Sequence, residues 1–380
     1  MSSVDEQLAQ LSSGNDFLRF VQTDVAANDA RFVKNMARLA TLFSNCKPEL
    51  IKDWSCQMCT ADTKPEKRLI FNGTIKKHDQ FAVAVYPRGV VVVFRGTANS
   101  ANAGSDINVK PTPMPSSWGC KDGEVHGGFY AVYETLRAAL FSALADVCSD
   151  FQRAGQTSPV PVLLIGHSLG GACSSIAALD LKLNLDKVRV LGNITYESPR
   201  VWTKAAVACY TVQTVRVTNS KDPIVHLPPR GLFHYRHLGD ELFLKNGKAT
   251  WCSQSDVAAC EAGTAPCRCS SQERFGHRWL TNHCLTAHFL GFNFCDCGQG
   301  YLSRLQVAVT VLAVLGAASA AIVVLWLGHK ALQYVPKGGA PSPVPELTAP
   351  RPLGTAAEAS PEASITAESL PPLPPLPPIT

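Results

Sequence analysis

Pro161-Val162-Leu163-Leu164-Ile165-Gly166-His167-Ser168-Leu169-Gly170-Gly171-Ala172-Cys173-Ser174-Ser175 is the stretch that decides the fold. Its apolar first half reads as a buried strand, and the small residues after Ser168 open the helix that runs on to Leu185. A Gly-x-Ser-x-Gly pattern alone arises by accident in roughly one chain in ten of this length, so the context carries the weight. A strand that turns straight into a helix strains the serine into a tight elbow and lifts its hydroxyl above the sheet. The small neighbours let the backbone approach adjacent elements closely. The elbow also sets the serine near the positive end of the new helix, where developing negative charge is favoured.

Outward from the elbow, the chain alternates strands with helices. Residues 81–86 (FAVAVY) and 89–96 (GVVVVFRG), joined by Pro87 and Arg88, predict a strand pair. Residues 31–45 and 129–150 have helical periodicity, and 188–198 and 211–218 read as two further strands. This alternation predicts an α/β fold with a mostly parallel central sheet covered by helices on both faces. A serine hydroxyl is a poor nucleophile until a base takes its proton, and that base needs an orienting carboxylate. Asp222 follows the strand at 211–218 and the turn Asn219-Ser220-Lys221, and Pro223 then breaks the chain. Without Ser168 it would read as an ordinary solvated turn aspartate.

Composition bounds the partners. The 380 residues carry a net charge of +5, with Lys and Arg scattered rather than clustered, which argues against nucleic acid. Of 14 cysteines, seven fall between Cys252 and Cys297, a density that favours an oxidising compartment and disulfides. Cys148 and Cys173 lie in apolar, helical stretches and read as buried free thiols. A zinc site is the competing reading for Cys252, Cys260, Cys267, Cys269, His283 and Cys284, although Cys-x-Cys is not the usual knuckle spacing. Cys56 and Cys59 have redox-motif spacing but no thioredoxin-like βαβ pattern around them. The first residues have neither the basic nor the apolar region of a conventional signal peptide.

Residues 305–328 contain no charged side chain. As a helix they would be roughly 36 Å long, enough to cross a hydrocarbon core of about 30 Å as a transmembrane helix. Residues 329–380 form a Pro-rich tail ending in PPLPPLPPIT, which cannot bury a core and reads as disordered. It is either a spacer or a polyproline ligand for an SH3, WW or EVH1 module. The globular part is therefore residues 1–300, with a Cys-rich insertion near 252–284.

Several separated motifs resemble the class 3, or fungal-type, triacylglycerol lipases. They are Phe94-Arg95-Gly96-Thr97, His126-Gly127-Gly128-Phe129, the elbow itself, Pro199-Arg200-Val201, and Asp222-Pro223-Ile224-Val225-His226-Leu227-Pro228-Pro229. Trp54-Ser55-Cys56-Gln57-Met58-Cys59 is similar to an N-terminal element of many members. The resemblance implies an α/β-hydrolase with Ser168 as nucleophile and Asp222 as the acid of the triad. Thr97 and the N–H of Leu169 would be the oxyanion donors. For the base, the family's histidine precedes an aromatic-rich segment near the domain end, which His288 fits best and His283 second. His226, His234 and His237 fall in segments without that duty. Residues 98–118, with Asp106, take the place of the family's lid but lack its usual Asn-Trp.

The expected activity is hydrolysis of glyceride or glycerophospholipid esters through an acyl-enzyme, with no metal or organic cofactor. Two alternatives stand beside it: an inactive hydrolase fold displayed as a binding module, and an acyltransferase using the same triad. The span predicts a single-pass membrane protein of an endomembrane or the cell surface. Positive residues after the span favour a cytoplasmic tail. The sequon at Asn72 and the cysteines agree with a lumenal domain, whereas the missing signal sequence does not.

Overall fold

The computed structural model describes residues 3–12, 16–27, 29–72, 81–96, 109–220, 222, 224–246, 248–264 and 268–270. The predicted transmembrane helix, the Pro-rich tail, His288, Thr97 and Asp106 lie outside the described residues. Among the described residues no helix is long and apolar enough to cross a membrane.

The N-terminal region is helical: α1 (Val4–Ser12), α2 (Phe17–Ala26), α3 (Arg31–Asn45) and α4 (Pro48–Lys52). Strands β1 (Arg68–Asn72), β2 (Phe81–Tyr86) and β3 (Gly89–Phe94) follow, then β4 (Pro111–Pro113) and β5 (Glu124–His126). The long helix α5 (Gly127–Arg153) leads to β6 (Val160–His167), α6 (Leu169–Asn184) and β7 (Val188–Tyr196). Beyond these come β8 (Trp202–Thr203), α7 (Lys204–Cys209), β9 (Thr214–Asn219) and β10 (Tyr235–Arg236). The hairpin β11 (Asp240–Lys245) and β12 (Lys248–Cys252) and helix α8 (Gln254–Ala262) complete the described order.

The main sheet runs β1-β2-β3-β6-β7-β9-β11-β12. Its middle is parallel, from β3 through β6, β7 and β9 to β11. Antiparallel pairs close both edges. Pairing of Tyr86 with Gly89 places Pro87-Arg88 in the turn, as the sequence predicts. Strand β9 starts three residues later than expected, although Gln213 O already accepts from Asn193 N of β7 at 3.0 Å.

Alternation along the strands divides the apolar side chains between two cores. Val90, Val92 and Phe94 enter one with α5 and α6, while Val91 and Val93 enter the other with α1 to α3. A strand buried on both faces is the signature of a covered parallel sheet. Helix α6 is buried along Leu169–Leu181. Buried Asp180 pins it to α5, accepting from Tyr133 Oη at 2.5 Å and from Arg137 Nε at 2.6 Å. A second sheet, β10-β8-β5-β4, was not legible beforehand. It corrects part of the lid expectation: residues 109–118 supply β4 and a 3₁₀ turn at Ser116–Trp118. Trp118 is buried against Tyr130 and Trp202, so this stretch belongs to the body of the domain.

Cystine bridges join Cys56 to Cys59, Cys120 to Cys209 and Cys252 to Cys269. Cys148 and Cys173 are buried thiols outside any disulfide, as expected. Glu241, Cys252 and Cys269 converge as a metal ligand set would. The two sulfurs are bonded to each other, however, which removes the thiolates a zinc ion would need there.

Candidate active site

The elbow begins where β6 ends. Ser168 adopts φ 56° and ψ −125° and caps α6, a backbone region that non-glycine residues enter at a cost of about 1–3 kcal/mol. Such strain survives only where the surroundings over-determine it. Here they do: Ser168 N donates to Tyr196 O at 2.9 Å, and its carbonyl accepts from Gly171 N and Ala172 N. Side chains are excluded on either side. A Cβ on Gly166 would run into the carbonyl of Gly170, and one on Gly170 into the carbonyl of Phe94. The serine is 9% exposed. As first residue of α6, Leu169 has an N–H with no acceptor inside the helix.

Thr97 lies just beyond the described residues, but its approach is visible. Gly96 passes so close to the elbow that a Cβ there would sit 2.9 Å from His167 O. Gly96 N donates to Ser44 Oγ at 3.3 Å, and Arg95 Nε to Ser44 O at 3.0 Å. Helix α3 therefore steadies the chain that leads into Thr97.

Three parallel neighbours deliver their C-terminal ends to one edge. Ser168 follows β6, Glu197 follows β7 and Asp222 comes shortly after β9. Two strand spacings separate β6 from β9, roughly 10 Å, which leaves room for one imidazole between serine and aspartate. Asp222 is fully buried, and its Oδ1 accepts from Ile224 N at 2.9 Å. The solvated-turn reading of this residue is thereby set aside.

Arg200 explains how the acid's loop is held. Its Nη1 donates to His226 O at 2.6 Å and Pro228 O at 3.0 Å, while Nε pairs with Glu261 Oε1 at 2.8 Å. Glu261 belongs to α8, so the Cys-rich insertion buttresses the segment that carries Asp222. His237 is engaged there too: its Nδ1 accepts from Arg216 Nη1 at 2.9 Å. His126 caps α5 by accepting from Phe129 N at 3.3 Å and stacks on the Phe129 ring. Burial lowers its pKa to about 3, so it serves the helix as a neutral cap.

One neighbour of the serine was missed. His167 Nε2 and Glu197 Oε2 lie 3.1 Å apart and both side chains are buried. Burial first, and the charge of Asp222 second, push the Glu197 carboxyl well above the usual range. In sequence, a glutamate after a strand looks like any solvated turn residue, so nothing marked it.

Comparison with known proteins agrees with this geometry. The family model described as lipase (class 3) matches residues 91–232. A lipase of Rhizomucor miehei is 28% identical over 57% of this chain and 58% of its own. Secreted mono- and diacylglycerol lipase 1 of Fusarium solani is 32% identical over 42% of this chain and 44% of its own. The chain thus spans about half the length of the curated relatives it matches. Among solved structures, the Rhizomucor miehei lipase propeptide complex superposes with a TM-score of 0.56 at 23% identity, over 69% of this chain and 80% of that one. That likeness establishes a shared fold. Through residues 91–232, the chain is similar to the class 3 lipases.

Proposed function

We propose that this protein is a serine ester hydrolase that releases fatty acid from acylglycerols or glycerophospholipids. The observation that carries the proposal is Ser168, held at φ 56° on the strand-to-helix elbow with buried Asp222 two strands away. His288 takes the Ser168 proton as Oγ attacks the ester carbonyl, and Asp222 orients the imidazole and stabilises its charged form. The tetrahedral oxyanion is received by Leu169 N–H and by Thr97. Collapse expels the glycerol oxygen, which accepts the proton from His288, and water activated by the same histidine then frees the fatty acid. Preorganised donors act on charge that exists only in the transition state; losing one such side-chain donor costs about 10²–10³ in rate. The relatives named as lipases support a glyceride substrate.

The apolar stretch at 305–328 supports the further reading that the hydrolase is held at a membrane, where its substrate resides. Fatty-acid release from emulsified glycerides and phospholipids by the full chain tests the chemistry. Ser168→Ala is expected to lower it by about 10⁶-fold. Release that survives this substitution rejects the assignment. Retention of the full chain in membranes at alkaline pH tests the anchor, which a chain washed into the supernatant would rule out.

A further inference from the structure

Behind the elbow, between β7, β9 and the Arg200 loop, lies a small cavity of about 20 Å³, a volume that accommodates a single water-sized particle. Its lining includes Arg200, Arg216, Arg236 and His237 and contains no acidic residue. Arg216 and His237 are 4% and 2% exposed. Arginine can only donate, so the contact between Arg216 Nη1 and His237 Nδ1 makes that nitrogen the acceptor and leaves the ring proton on Nε2. The remaining donors have no hydrogen-bond partner: Arg216 Nε, Arg216 Nη2 and His237 Nε2, together with the hydroxyl of Thr195. Glu241 stands 3.5 Å from Arg216 Nη2 but already accepts from Thr218 Oγ1 at 2.6 Å. Glu261 is taken by Arg200.

Buried donors left unpaired are costly, and a buried guanidinium more so. A water molecule would fill the volume, and its two hydrogens could go only to hydroxyl oxygens of the lining such as Ser198 and Thr214, while the unpartnered nitrogens of Arg216 and His237 are all donors. A monatomic anion on the Nε/Nη2 edge of Arg216 accepts from both nitrogens and from Thr195, the residue paired with Arg216 across β7 and β9. It also balances three lining arginines against the two carboxylates that pair with Arg200 and Arg216. We propose that this cavity is a halide site, occupied by chloride and held by Arg216 and Thr195, with His237 fixing the opposite edge of the guanidinium. The site lies outside the serine machinery and does not depend on the reaction assigned above. It bridges β7 and β9, and Arg200 extends from its wall to the loop behind Asp222, so occupancy stabilises the platform on which the acid is carried.

Thermal unfolding of the full chain tests this, with sodium chloride compared against sodium gluconate at equal ionic strength and pH. Chloride is expected to raise Tm by about 3 °C in a saturable manner, and Arg216→Lys, which lacks the fork of donors, is expected to abolish the difference. Superimposable curves in the two salts for the unaltered protein would overturn the site. Should Arg216→Lys fail to fold, the unaltered protein crystallised from sodium bromide decides. An anomalous peak beside Arg216 Nε is expected; an ordered atom there without anomalous signal means a water, and the proposal fails.

Discussion

A carboxyl group with no exposure to solvent, one residue past the strand next to a nucleophile, has to be kept neutral or compensated. Glu197 is such a group. Its pKa is raised above the unfolded value near 4.5 by burial and by Asp222. The folded chain therefore holds a proton that the unfolded chain releases, so stability is fully present below about pH 4.5 and declines as pH rises towards the folded pKa. Glu197→Gln keeps the shape and the hydrogen-bonding capacity toward His167 while removing the titration. The variant should match the native protein near pH 4 and become progressively the more stable of the two as pH rises, measured by urea unfolding across pH 4 to 8. A constant difference across that range would mean that Glu197 is ionised in the fold. Gly170→Ala tests the elbow at the same scale. Its Cβ would meet the Phe94 carbonyl, and overpacking costs typically 1–3 kcal/mol, so reduced Tm and lost activity should appear together.

Elements in this molecule are tied by a few buried connections, and these were the least legible part. Pro199-Arg200-Val201 was visible as a motif, but its partner Glu261 comes 61 residues later, inside an insertion whose reading was limited to its cysteines. Burial of both side chains, at 4% and 1% exposure, makes the pair sensitive to loss of either member. Arg200→Ala strands Glu261 and frees the His226 and Pro228 carbonyls, and should cost about 3–5 kcal/mol. Arg200→Ala combined with Glu261→Ala should recover part of that loss in a double-mutant cycle of urea midpoints. No recovery would show that the two side chains act independently. Cys120–Cys209 works differently, closing 89 residues between β4–β5 and α7. Replacing both with serine releases a long loop in the unfolded chain, worth about 4 kcal/mol, whereas Cys148→Ser should cost far less. Comparable losses from both would count against the entropic account.

At the scale of the whole molecule, what could be read in advance was what repeats locally. The runs FAVAVY, GVVVVF and VLLI are apolar on every residue because both faces of their strands are covered, and the elbow announces itself by spacing. What could not be read was made of pieces too short or too polar to carry a period. Strands β8 and β10 are two residues each, and α1 offers only Val4, Leu8 and Leu11 to the core. Yet α1 and α2 form part of the cover on one whole face of the sheet. Val4, Leu8, Leu11, Phe17 and Val21 are each at most 2% exposed. The Asp5 carboxylate accepts from Arg88 N at 2.8 Å in the β2–β3 turn, and Arg189 Nη2 reaches Ser12 O at 3.0 Å. At about 1.5–3 kcal/mol for each fully buried side chain, these five contribute as much as the entire net stability of a typical domain, about 5–15 kcal/mol. Deleting residues 1–26 should therefore do more than trim an end. Val91, Val93, Leu163 and Ile165 would lose part of their cover, and the truncated chain should aggregate or bind a hydrophobic dye instead of unfolding cooperatively. Leu8→Ala, a milder change, should fold and lose about 2–5 kcal/mol. A truncated chain that unfolds with the native midpoint would mean that α3 covers this face unaided.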